Sequence, residues 1–198
     1  GVTICIKTDF TAGWQRPGLL VLIPSWRTVM LRSILLLSVF AASSLSAQTY
    51  EITHTYNVGG EGGWDYVIPD APNHRLFVAR QNRVSVIDMN TGRLIAEIPG
   101  INGAHGTALV SDIGRGFATS GNDSSIMMFD AKSYKTLLKI RAGEDADAII
   151  YDPASKHVFS FNGDANTSTV VDPRRGTVVA NVALGGKPEY GQSSRDGK

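Results

Sequence analysis

The side chains with the greatest capacity for chemistry stand at set distances ahead of a recurring aspartate. Asp70, Asp112, Asp152 and Asp196 are separated by 42, 40 and 44 residues. Seven residues ahead of them stand Gly63, His105, Asp145 and Glu189, and five ahead stand Asp65, Thr107, Asp147 and Gly191. Side chains of an extended strand return to the same side every second residue, so the two sets share one side of their strands. Asp65, His105, Asp145, Asp147 and Glu189 converging on an axis can hold a divalent cation through carboxylate and imidazole ligands. They can equally hold a small polar ligand, or serve only to hydrogen-bond loop backbone and water. Trp64 and Tyr190 fall at the intervening position and offer a flat apolar surface for stacking. Adjacent carboxylates work as acid and base when their surroundings separate their pKa values, a separation that residue order does not display.

The elements that must position these residues form a repeat. Val86-Ile87-Asp88 recurs as Met128-Phe129-Asp130 and as Val170-Val171-Asp172, 42 residues apart both times, while Gly59-Gly60 and Gly185-Gly186 lie 126 apart. Each unit carries four short apolar runs, such as Tyr66-Val67-Ile68, Leu76-Phe77-Val78, Val84-Ser85-Val86-Ile87 and Leu94-Ile95-Ala96-Glu97-Ile98. These have the length and the β-branched and aromatic content of strands, with turn residues between them. Asp88-Met89-Asn90-Thr91-Gly92 and Asp172-Pro173-Arg174-Arg175-Gly176 start tight turns with an Asp that accepts backbone N–H groups and end them with a Gly where φ > 0 is needed. Asp130-Ala131-Lys132-Ser133-Tyr134 lacks the Gly, which predicts a different or strained turn. No helical periodicity occurs after residue 50.

Four antiparallel strands repeating every ~40 to 45 residues mark a β-propeller blade. The form of the unit from Arg75 to Gly100 resembles the YVTN-type β-propeller repeat of exported bacterial proteins, within the wider group of NHL- and WD40-like repeats. The resemblance covers roughly Thr49 to Lys198 and is strongest in Trp64–Gly100 and Asp145–Gly186. It implies an all-β propeller of four-stranded antiparallel blades. Such rings usually close with seven blades, and seven units of ~42 residues need roughly 300 residues, so residues 48–198 are expected to be a partial ring. The expected blades run about 64–102, 103–144 and 145–186, with a fourth beginning at 187–198. Residues 49–60 match an outermost strand of the kind that completes a last blade. In a propeller the innermost strand lines the channel, so Trp64, Asp65, His105, Asp145, Asp147 and Glu189 are expected at the channel mouth.

The first fifty residues read as processing information. Met30-Leu31-Arg32 supplies a positive start, Ile34 to Ala42 an apolar run, and Ser43 to Ala47 a small-residue exit, the pattern of a secretory signal peptide over 30–47. The run is well short of the ~20 residues of a membrane-spanning helix. Residues 1–29 show no discernible period and are read as an upstream extension. Removing residues 1–47 takes away Lys7, Arg16, Arg27, Arg32 and Asp9, leaving a slightly acidic chain without its single cysteine, Cys5. Export is therefore not being used for disulfide stapling.

Composition excludes several functions. With 19 Lys+Arg against 18 Asp+Glu, the chain has no electrostatic case for a nucleic-acid or anionic-membrane partner. No nucleophile elbow, P-loop, HExxH, haem-attachment or zinc-type Cys/His spacing is present. Gly59-Gly60-Glu61-Gly62-Gly63 is not followed by a helix and reads as a connection between blades, not a phosphate loop. His54, His74 and His157 have no partner at metal-ligand spacing. Arg174-Arg175 is a solvated turn pair. Two readings of function stand. One is a non-catalytic scaffold, periplasmic or extracellular, that binds a small molecule or protein through its channel face and carries no cofactor. The other is a propeller enzyme of lactonase or hydrolase type with an axial divalent metal held by residues such as Asp65, His105 and Glu189.

Overall fold

Wherever an apolar run meets one of the Asp-led turns, the chain reverses and pairs with itself. The computed structural model describes Val2–Thr3 and residues 50–194. The signal peptide, the upstream extension and Arg195–Lys198 lie outside the described residues. The chain divides into two compact units, Thr3–Thr55 and the remainder from Tyr56 onward with Gly1–Val2. Of the first, Tyr50–Thr55 are exposed. Two short strands, β1 (Val2–Thr3) and β2 (Thr55–Tyr56), precede the blades. Among the described residues 50–60, Thr55–Tyr56 alone form strand. Tyr56 is buried, and its hydroxyl donates to the Met89 carbonyl at 2.6 Å, at the first Asp-led turn.

The first blade comprises β3 (Val67–Asp70), β4 (Arg75–Asp88) and β5 (Leu94–Ala104), in that order. Although β4 is a continuous 14-residue extended run, it is two strands. The Met89 N–H donates to the His74 carbonyl at 2.8 Å, so the two ends of the run meet and the chain must fold back between them. The reversal falls at Gln81, whose φ is 33°. The second blade is β6 (Thr107–Val110), β7 (Arg115–Ser120), β8 (Ser125–Asp130) and β9 (Thr136–Arg141). The third is β10 (Ala146–Asp152), β11 (His157–Asn162), β12 (Thr167–Asp172) and β13 (Thr177–Ala183). Pairing is antiparallel throughout.

The three Asp-led turns are one device used three times. Asp88, Asp130 and Asp172 each accept backbone N–H bonds from the second and third residues after them, at 2.7 to 3.3 Å. Their fourth residues each close the turn with a 2.8 Å backbone bond. Gly92 and Gly176 do so at φ 69° and 67°, and Tyr134 does so at φ 62°. The middle turn is thus the same turn under strain, a cost of roughly 1 to 2 kcal/mol for a residue with a Cβ. Contacts of its ring offset that strain. Arg75 lies 5.7 Å from the Tyr134 ring centroid and donates to its hydroxyl at 3.0 Å, and the ring packs against Phe77.

The core lies between blades. Phe77, Val84, Val86 and Ile98 of the first meet Ala118, Met127 and Phe129 of the second, with the Phe77 and Phe129 rings stacked at 6.1 Å. Val110, Phe117, Ile126 and Met128 meet Val158 and Val171 in the same way. Fully burying one such side chain contributes ~1.5 to 3 kcal/mol. Outermost strands contribute little, and every residue of β13 is exposed.

Candidate functional site

Register decides which residues meet. Innermost strands β3, β6 and β10 end at Asp70, Val110 and Asp152, each opposite the first residue of the next strand: Arg75, Arg115 and His157. Five residues before those ends stand Asp65, His105 and Asp147. The three therefore occupy one equivalent position in successive blades, at spacings of 40 and 42 residues. This corrects the grouping expected from the aspartate landmarks, which put His105 with Asp145 and aligned Asp65 and Asp147 with Thr107. Asp112 misleads because it sits in the 3-10 turn Ser111–Ile113 beyond the strand, two residues past the true strand end at Val110.

Three local features bring the trio together. The Tyr66 N–H donates to the His105 carbonyl at 3.2 Å, tying the first two innermost strands directly. Gly106 lets the next pair approach. A Cβ there would meet the Ile149 nitrogen at 3.1 Å and the Asp147 carbonyl oxygen at 3.4 Å. In β10 a register shift between Ala146 and Ile149 places Asp147 in a bulge, the kind of irregularity that re-aims a side chain. As a result the His105 Nδ1 lies 2.8 Å from Asp65 Oδ2 and 3.8 Å from Asp147 Oδ1. One ligand atom from each residue falls within 4.8 Å of the others. This is the group among the described residues whose donors are disposed to share a metal ion.

Electrostatics extends the cluster. Burial pushes the Asp147 carboxyl above the usual carboxylate range, and the neighbouring charges of Asp65, Asp145 and Glu189 add to the rise, while His105 opposes it. The Tyr66 phenol is likewise raised by burial, then by Asp147, Asp65 and Glu189. Its hydroxyl donates to the Glu189 carbonyl at 3.1 Å, and its ring stacks on Tyr190 at 5.9 Å.

The six expected site residues are thus sorted. Asp65, His105 and Asp147 form the centre. Glu189 adjoins it through its charge and its backbone. Asp145, at φ 57°, acts on Asp147 through its charge and sits 3.3 Å from Lys187 Nζ, which also binds Asp164 at 3.0 Å. Trp64 lies outside the cluster, 69% exposed. The aromatic side chain at the centre is Tyr66, which residue spacing did not single out. Arg80 was also missed. It is 5% exposed, and its guanidinium lies 3.1 to 3.3 Å from the carbonyls of Gly59, Gly60, Glu61, Gly62 and Gly63. The glycine-rich loop therefore turns its carbonyls, not its N–H groups, toward a bound charge, the reverse of a phosphate cradle. Five carbonyls on one cation fix the path of the chain into Trp64 and Asp65. His74 supplies a left-handed turn residue at φ 50°, and His157 opens β11 opposite Asp152.

Neither the protein-family models nor the curated protein sequences give a match to this chain. Solved structures do. The hydrazine synthase of Kuenenia stuttgartiensis is similar over 75% of this chain and 44% of its own, at 19% identity and a TM-score of 0.66. U3-55K and the WD40 repeats of RRP9 each align over 63% of this chain and 40% of theirs, at 13% and 14% identity and TM-scores of 0.57. The chain spans less than half the length of these structures. Likeness at such identity establishes the fold, which is of the β-propeller, WD40-like type, and nothing about activity. Among the described residues no helix is long and apolar enough to cross a membrane.

Proposed function

We propose that this chain is the ligand-binding part of an exported propeller of YVTN-like repeats, acting as a non-catalytic scaffold whose channel mouth receives a small molecule or a protein group. The observation that carries the reading is the meeting of Asp65, His105 and Asp147 from equivalent positions of three blades. A purely structural carboxylate is supplied with donors by its own turn, as Asp88, Asp130 and Asp172 are. Asp65 and Asp147 instead face a shared imidazole, and Asp147 is left with a raised pKa and like charges around it. Such an arrangement holds unused capacity for a positively charged or hydrogen-bond-donating guest.

The signal-peptide pattern of Met30–Ala47 supports export, and N-terminal sequencing of secreted protein should begin at or near Gln48. For the site, the imidazole resonances of the full chain would be followed by NMR while ethylamine, guanidinium and acetate are titrated in metal-free buffer. The His105 signal should move with a cationic probe and stay still with acetate, and Asp147→Asn should abolish the response. A His105 resonance indifferent to every probe removes the site from this role.

A further inference from the structure

Resting on the reading of this mouth as a binding site, the geometry points to its guest: we propose that Asp65 Oδ2, His105 Nδ1 and Asp147 Oδ1 bind a divalent transition-metal ion of the zinc or manganese kind. The donor set is one imidazole nitrogen and two carboxylate oxygens. Imidazole suits zinc and the first-row transition metals, whereas magnesium and calcium prefer all-oxygen shells. Metal–ligand bonds of ~2.0 to 2.2 Å place neighbouring donors roughly 3.0 to 3.5 Å apart in octahedral or tetrahedral shells. The His105–Asp65 and His105–Asp147 separations of 2.8 and 3.8 Å bracket that span. The ligand atoms of all three residues lie within 4.8 Å of one another, so side-chain rotation would have to close them on a metal.

The framework for such a site is rigid where it needs to be. Each ligand comes from a different blade: Asp65 and His105 stand two residues before β3 and β6, where the Asp65 N–H donates to the Ala79 carbonyl and the Thr119 N–H to the Gly106 carbonyl, both at 3.0 Å, and Asp147 lies within β10. Lys187, beside Asp145, is held by Asp145 and Asp164. The charge of the central carboxylates is therefore left for a guest to neutralise. Three protein ligands leave further positions open toward the mouth for water or an exogenous oxygen donor.

The test is calorimetric titration of chelator-treated full-length chain with zinc, manganese and calcium chlorides. Zinc is expected to bind at one equivalent and more tightly than manganese, with calcium weakest. His105→Gln and Asp147→Asn should each weaken zinc by at least about tenfold, the lower bound seen even for residues that merely support ligands. Asp112→Asn, in a turn at the other end of the strands, should change nothing. If a variant fails to fold, the parent chain still reports: zinc should perturb the His105 imidazole resonance at one equivalent and leave His54, His74 and His157 unmoved. Absence of one-equivalent binding, or binding that leaves His105 unperturbed and survives both substitutions, overturns the proposal. The amine and guanidinium titrations in metal-free buffer separate the two levels. A response there without zinc binding leaves the ligand site standing and removes only the metal.

Discussion

The two ends of the blades treat the same residue type in opposite ways. At the turn end, Asp88, Asp130 and Asp172 are held below the ordinary carboxylate range, each chiefly by a backbone N–H two or three residues ahead. Asp152 is lowered further, by the Ser155 side chain, then by the Ser193 hydroxyl and the Ser155 and Ala154 N–H groups. At the mouth end Asp147 is raised, first by burial and then by other carboxylates. Charge at the turns is neutralised locally by the sequence that creates the turn. Charge at the mouth is assembled from three blades and answered by one imidazole. The contrast separates turn aspartates, neutralised where they stand, from the mouth aspartates that we propose receive a guest.

The largest effect should come from the structural side. Asp152→Ala deletes a carboxylate that takes hydrogen bonds from Ala154, Ser155 and Ser193 at 3.2, 2.8 and 2.6 Å. Bonds to a charged group contribute ~1.5 to 3 kcal/mol each. Because the freed turn N–H groups can rehydrate, the expected loss is about 2 to 3 kcal/mol in urea unfolding. A loss under 0.5 kcal/mol, on the order of an inert surface change, would erase the distinction. The pH dependence has a definite sign. A carboxyl depressed in the folded state contributes fully above its unfolded value of ~3.9 and loses that contribution as pH falls through the folded value. The parent should therefore weaken between pH 5 and pH 2 more steeply than Asp152→Asn.

Asp147 should behave oppositely, with a smaller effect. Its folded carboxyl keeps its proton to higher pH than the unfolded one, so its stabilising contribution is complete below the unfolded value and is lost as pH rises through the folded value. At neutral pH the ionised group is a net cost. Asp147→Asn, measured in chelator, is expected to stabilise by up to about 1 kcal/mol, the scale of gain found when a functional site is relieved. The gain should disappear near pH 3. Destabilisation at pH 7 would mean that Asp147 is held for the fold.

Which of this was readable in residue order follows from what each feature depends on. The blades were readable because strand runs and Asp-led turns are local, and the 42-residue return of Val86-Ile87-Asp88 marks them without tertiary information. Of the six residues expected at the mouth, Asp65, His105 and Asp147 do meet, and their alignment was misread. Asp70 and Asp152 end strands, while Asp112 belongs to the turn after one, and nothing local distinguishes a strand-ending aspartate from one two residues later. Tyr66 was passed over because an aromatic residue in a strand reads as core. Its role depends on Glu189 and Tyr190, 123 and 124 residues away. Arg80, followed by Gln81, Asn82 and Arg83, reads as a solvated charge, and its five carbonyl partners become visible only once the glycine loop is folded around it.

The smallest effect is expected at the turn-end rim, and it is the sharpest control on the comparison. Arg174 lies 3.7 Å from Asp112, with side chains 69% and 57% exposed, and Arg175 pairs with Asp172 in its own turn at 3.2 Å. Exposed pairs of this kind typically contribute less than about 1 kcal/mol, because solvent screens the charges and ordering two long side chains costs entropy. Arg174→Ala should shift unfolding by no more than about 0.5 kcal/mol, and raising the salt concentration should shrink even that. Zinc affinity should be unchanged, since Arg174 stands at the end of the blades away from His105. The Arg174–Asp112 pair nonetheless joins the third blade to the second, which makes the outcome informative. A loss above 1 kcal/mol that Asp112→Asn reproduces, and that the double variant does not deepen, would show the blades to be clasped at the turn end. The turn-end charges would then act between blades as the mouth charges do, and local neutralisation would no longer separate the two ends.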